Sequence, residues 1–143
     1  MGNTLYRPVT PEIASQLRQI VGEPYVLYDE PERMVGYAHD EVAGEEYAHA
    51  PEVVVKPVSA GEISKIIELA NRERIPVTPR GAGTGLSGGA VPIFGGAVLS
   101  LERMNRILEI DRHNMVTVVQ PGVVTNEINA AVWEFGLFYA GYP

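Results

Sequence analysis

The chain has 143 residues, 45% of them hydrophobic and 20% charged, which suits one globular domain with a real core. Its formal charge of −7 argues against nucleic acid or an anionic membrane as the main partner. The absence of cysteine removes disulfides, thiolate chemistry and cysteinyl cofactor links, and fits a cytoplasmic location. No apolar run is long enough to span a bilayer, and the first residues lack the apolar stretch of a signal peptide.

In chain order, Thr10-Pro11 predicts a helix start, with Ile13, Leu17, Ile20 and Val21 at helical spacing and Gly22 as the stop. Tyr25–Tyr28 reads as a short extended segment. Residues 29–50, rich in charge, Gly and Tyr, read as irregular with a turn of helix near Pro31–Met34. Within them, His39-Asp40-Glu41 reads as a solvated stretch, with packing beside the main unit as the alternative. Val53–Val55 predicts a buried strand. Ser59 to Glu62 form a capping box opening a helix whose apolar stripe is Ile63, Ile66, Ile67 and Ala70. Pro76–Thr78 and Ala97–Leu101 predict strands. Ile107–Ile110 and Val116–Val119 predict a hairpin turning at Asp111–Asn114. Thr125 is expected to cap a helix carrying Ile128, Ala131, Val132 and Phe135, which Gly136 ends. The sum is an α+β domain, a small sheet with flanking helices. Residues 1–50 form an N-terminal helix and lead-in, and residues 51–143 the main unit.

Between the strands at Pro76–Thr78 and Ala97–Leu101 lies Pro79–Gly89, PRGAGTGLSGG. Seven of the fifteen glycines fall between Gly81 and Gly96. Glycines at this density let main-chain N–H groups approach an anion closely, most often a phosphate or diphosphate. In a chain with two lysines and nine arginines, oriented amides and one Arg are the expected grip. Gly83 to Gly88 match G-x-G-x-x-G, but the following Gly89-Ala90-Val91-Pro92 cannot open the helix that a dinucleotide fold needs. Gly85 to Gly89 match G-x-S-x-G, yet that elbow also needs a helix, and Asp111 and His113 stand too close together in a turn to complete a Ser87 triad. With no lysine beyond Lys65, a Walker or kinase loop is excluded.

The glycine loop, followed by AVPIFGGAVLSLERMNRILEIDRHNMVTVVQPGV, resembles the FAD domain of the vanillyl-alcohol oxidase/p-cresol methylhydroxylase family. The likeness is to its branch of D-lactate dehydrogenases and glycolate oxidase FAD subunits in particular. The resemblance covers Pro51–Pro143 well, and Tyr37–Glu41 is similar to that branch's lead-in. It implies the first part of a two-subdomain FAD domain. Pro79, Arg80, Gly81, Ala82, Gly83, Thr84 and Gly85 would hold the diphosphate, with Ser87 and Gly88 completing the turn. Pro121-Gly122 would pass the adenosine side, and Tyr142-Pro143 would enter a second flavin motif, making Pro143 a cofactor-site residue.

The resemblance also implies that FAD is bound non-covalently, because Thr84 stands where many members carry the linking histidine. Its substrates are small 2-hydroxy acids such as lactate or glycolate, with an electron-acceptor protein or subunit as partner. Hydride transfer to flavin N5 would use a catalytic histidine from a C-terminal domain expected to lie outside this chain, so no catalytic or metal residue is assigned here. Gly83→Val is expected to abolish flavin binding while the fold is retained. A different class of function, a non-catalytic module pairing through uncovered apolar surface, is the alternative.

Overall fold

The computed structural model describes residues 5–42 and 44–141. Helix α1 spans Pro11–Val21, with the Thr10 hydroxyl accepting the Ile13 N–H and Gly22 at the C-cap with φ +94°. A 3-10 turn over Glu23–Tyr25 leads into strand β1, Val26–Tyr28, and helix α2 is the single turn Pro31–Met34. Strand β2 is Val53–Val55, helix α3 is Ala60–Glu73, strand β3 is Val77–Arg80 and strand β4 is Ala97–Ser100. Strands β5 (Ile107–Asp111) and β6 (Val116–Val119) form the hairpin, and helix α4 spans Thr125–Trp133.

The main sheet has the order β1-β2-β4-β3. β2 and β3 both run parallel to β4, and β1 closes the other edge antiparallel to β2. This is a mixed sheet with helices, an α+β fold. Alternation along the strands sends Val26, Val53, Val55, Ala97 and Leu99 to one face, where Ile13, Leu17 and Val21 of α1 and Ile66, Leu69 and Ala70 of α3 cover them. The opposite face presents Leu27, Val54 and Val98 to Met34 and Tyr37 of the lead-in. Covered on both sides, β2 and β4 are buried at every position, which is why Val53–Val55 and Ala97–Leu99 read as unbroken apolar runs.

Three local expectations shift. The third strand runs Val77–Arg80 instead of Pro76–Thr78, because β3 is an edge strand and tolerates Pro79. Pro76 contributes only its carbonyl, which accepts the Ala97 N–H at 2.9 Å. At α3, Ser59 Oγ accepts the Glu62 N–H as expected, but the Glu62 carboxylate turns to the Val58 N–H, one residue earlier than a capping box requires. At α4, Thr125 is the first helical residue and not the cap. Val124 occupies the cap position without a side-chain acceptor, and the Glu127 carboxylate accepts the Val124 N–H.

Candidate functional site

Parallel pairing puts the carboxyl ends of β2, β3 and β4 at one end of the sheet, where open α/β sheets bind ligands. The glycine loop leaves from there, directly after Arg80. From Gly81 to Ala90 no main-chain N–H donates to an acceptor among the described residues. Most of these positions are exposed to solvent. Internal pairing resumes at Val91, whose N–H reaches the Gly88 carbonyl. The loop therefore offers a row of donors on an open face, as an anion nest requires.

The glycines of this segment divide by what surrounds them. A Cβ on Gly96, at φ +66°, would overlap the Pro76 carbonyl, so the fold itself requires that glycine. Gly81, Gly85 and Gly89 carry neither positive φ nor crowding: the nearest atoms to a Cβ are Pro121 O at 3.7 Å, Asp40 Oδ2 at 3.7 Å, and nothing within 4 Å, respectively. The fold does not need glycine at these three places. A ligand that lies against the main chain does.

Pro79 and Arg80 end β3, and Gly81, Ala82, Gly83, Thr84, Gly85, Ser87 and Gly88 continue the same loop, so the structure brings these expected site residues together. Pro121 joins them, its carbonyl lying next to Gly81. Pro143 lies outside the described residues. Arg80 is buried, its Nη1 donating to the His39 carbonyl at 2.6 Å and its Nη2 to the Gly36 carbonyl at 3.0 Å. Gly83, at φ +76°, rests on that guanidinium: a Cβ would overlap Nη2 and Cζ of Arg80, with Nε 2.8 Å away. Added volume in Gly83→Val thus meets Arg80 before any ligand, which changes the route by which that variant would act.

Of the stretch expected to be solvated, His39 and Glu41 are exposed but Asp40 is buried. Asp40 is 5% exposed, with Oδ1 accepting the Val42 N–H at 3.0 Å and Oδ2 buried without a partner among the described residues. The Glu41 N–H donates to the Gly85 carbonyl at 3.0 Å. Residues 36–41 thus form the floor of the loop, held by main-chain carbonyls that carry no residue-type signal.

Beside this floor, Glu102 gathers Lys56 (2.7 Å), the Tyr37 hydroxyl (3.0 Å) and the buried Ser100 hydroxyl (2.9 Å). The cations of Lys56 and Arg80 lie 5.3 and 5.7 Å from the Tyr37 ring centre. Burial pushes the Glu102 carboxyl up, but hydrogen bonds from Lys56, Ser100 and Tyr37 outweigh it and hold the group below its ordinary 4.5. Burial likewise lowers Lys56, and its hydrogen bonds with Glu102 and Tyr37 outweigh that and raise it above 10.5. The depressed carboxylate stabilises the fold above pH 4.5 and loses that contribution as pH falls through its folded value. The raised ammonium contributes below pH 10.5 and loses its share as pH rises through its own. Glu102→Gln is expected to destabilise the fold at neutral pH, by roughly 1 kcal/mol at most because the carboxylate is partly hydrated. The gap from wild type should close as pH drops below 4.5, and a gap that is constant across an acid melting series would contradict this.

Elsewhere the chemistry is structural. Asp111 accepts the N–H groups of His113 and Asn114, each at 3.0 Å, and closes the hairpin turn, which leaves it no part in a Ser87 triad. No helix among the described residues is long and apolar enough to cross a membrane.

The comparisons agree with this geometry. Residues 51–143 match the family model described as FAD binding domain. The chain is 40% identical over 135 residues to the glycolate oxidase subunit GlcD of Bacillus subtilis, covering 94% of this chain and 28% of that protein. It is also 40% identical over 144 residues to a D-lactate dehydrogenase of Anaerostipes hadrus, covering 100% of this chain and 30% of the relative. The chain therefore spans less than a third of the length of either. Among solved structures, p-cresol methylhydroxylase with substrate bound superposes with a TM-score of 0.80 at 27% identity, over 93% of this chain and 27% of that one. With the family model matched over most of its length, this chain belongs to the FAD-binding domains of the vanillyl-alcohol oxidase/p-cresol methylhydroxylase family.

Proposed function

We propose that this chain holds the FAD of an oxidoreductase that acts on a small 2-hydroxy acid, lactate- or glycolate-like. The observation that carries the reading is the run of N–H groups from Gly81 to Ala90 without an acceptor among the described residues. The diphosphate lies on these amides, over Gly81, Ala82, Gly83, Thr84 and Gly85, with Ser87 and Gly88 at the turn and Pro79 and Arg80 at its base. Each hydrogen bond from an amide to a charged oxygen contributes about 1.5–3 kcal/mol, so a few suffice in an acidic chain. The three uncrowded glycines keep side chains out of the ligand's path. FAD, when bound, supplies the two-electron oxidising power, and this chain supplies its placement. Thr84 cannot form the linkage that a histidine would, so the cofactor is held non-covalently. The 2-hydroxy-acid substrate class follows from the names of the two relatives, and one of them, a subunit by name, supports a separate partner as electron acceptor.

Titration of FAD against the purified chain, followed by fluorescence polarisation, tests the reading. Saturable binding is expected, with all flavin released into the supernatant on acid precipitation. Absence of binding refutes the reading, and flavin retained by the precipitate refutes the non-covalent part. A second reading, a module that pairs through apolar surface, is favoured by Trp133 and Phe138, 76% and 72% exposed beyond the last strand. It predicts a colourless oligomer on gel filtration with FAD present.

A further inference from the structure

We propose that Arg80 is a positioning residue: it shapes the glycine loop through the lead-in segment 36–41 and does not itself grip the ligand. This rests on reading the loop as the FAD diphosphate site.

The side chain of Arg80 leaves the end of β3, where the main chain is fixed by pairing with Ser100. Its planar fork spans two carbonyls of the lead-in, those of Gly36 and His39, and its cation faces the Tyr37 ring between them. Tyr37 is itself fixed, its hydroxyl donating to Glu102. The loop then curls back over its own first side chain, and Gly83 sits on the guanidinium because it has no Cβ to forbid the approach. Two residues on, the Glu41 N–H holds the Gly85 carbonyl from the same side.

The loop is thus pinned from beneath at Gly83 and Gly85, by one side chain and one main-chain donor. With its carbonyl at Gly85 taken up below, the free N–H groups are left for the outer face. Asp40 Oδ2, buried and without a donor among the described residues, lies 3.7 Å from where a Cβ on Gly85 would stand. The lead-in lies outside residues 51–143, which the family model matches.

The test uses the full chain as wild type, Arg80→Lys, Arg80→Ala, Gly83→Ala and the Gly83→Ala/Arg80→Ala pair, with FAD as the probe. Lysine keeps the charge but replaces the planar two-nitrogen fork with one flexible point donor, so Arg80→Lys and Arg80→Ala should weaken FAD binding alike, by roughly 10-fold or more. Gly83→Ala should also weaken it, but the pair should lose less than the two single losses combined, because the overlap with the guanidinium is gone and only the left-handed backbone strain at Gly83 remains. Without FAD, amide exchange at Glu41 should rise in both Arg80 variants while Val54 and Val98 in the sheet stay protected.

Wild-type affinity in Arg80→Lys beside loss in Arg80→Ala would overturn the proposal, since charge alone would then be enough. So would loss of protection at Val54 and Val98, which would make Arg80 a support of the whole fold, or unchanged exchange at Glu41. A wild type that binds no FAD would instead refute the diphosphate reading, and exchange at Glu41 would still decide whether Arg80 shapes the loop.

Discussion

Alanine at Gly122 is expected to destabilise the chain by about 3 kcal/mol, a fall of roughly 10 °C in melting temperature. A Cβ there would overlap the Leu101 carbonyl oxygen, with Leu101 C at 2.9 Å and Met104 O at 3.0 Å. All three are main-chain atoms, so no side chain can swing aside. Their positions are fixed by a chain of hydrogen bonds: Leu101 N–H to the Arg80 carbonyl (2.9 Å), Met104 N–H to the Leu101 carbonyl (2.9 Å), and Gly122 N–H to the Met104 carbonyl (2.8 Å). The new methyl must push the Pro121-Gly122 turn off the end of β4 and break the last of these bonds. Because Pro121 lies beside Gly81, ligand affinity should fall with stability. Urea melts of the two proteins decide the matter, and coincident curves would mean that this turn is not seated on residues 101–104.

Alanine at Gly81 is expected to do the reverse. Its Cβ meets only Pro121 O at an ordinary 3.7 Å and its φ is not left-handed, so stability should stay within about 0.5 kcal/mol of wild type. The methyl projects where the diphosphate is proposed to touch the main chain. Loss of one or two charge-assisted hydrogen bonds weakens FAD binding by roughly 100-fold. Gly89→Ala, with nothing within 4 Å of its Cβ, is the companion variant. If FAD titrations gave wild-type affinity for both, the loop's open glycines would have some purpose other than this ligand.

The contrast between these variants shows what was legible before the coordinates. A dense glycine loop between two strands was plain from composition, as were the proline-led start of α1 and the valine run of β2. What composition could not separate was Gly122 and Gly96, which the fold crowds, from Gly81 and Gly89, which it leaves open, because that distinction belongs to neighbours far away in sequence. The floor of the site was missed for a related reason. Arg80 reaches the carbonyls of His39 and Gly36 across 41 and 44 residues, and any residue type presents a carbonyl. The one signal available was the Tyr37-Ala38-His39-Asp40-Glu41 resemblance, whose importance a charge-rich composition obscured. Thr125 misled because a hydroxyl residue before an apolar stripe marks either the cap or the first turn. Here the carboxylate of Glu127 secured the helix entrance one residue earlier.

Strand β1 pairs with β2 from a part of the chain that precedes the family-matched residues. A version trimmed to begin at Pro51 would keep the whole glycine loop and yet leave Val53, Val54 and Val55 as a bare border of unpaired amides and carbonyls. Short, apolar and uncharged, such a border is a template for edge-to-edge self-association. Residues 26–28 therefore cover this border, and residues 36–41, a little further along the same stretch, underlie the glycine loop.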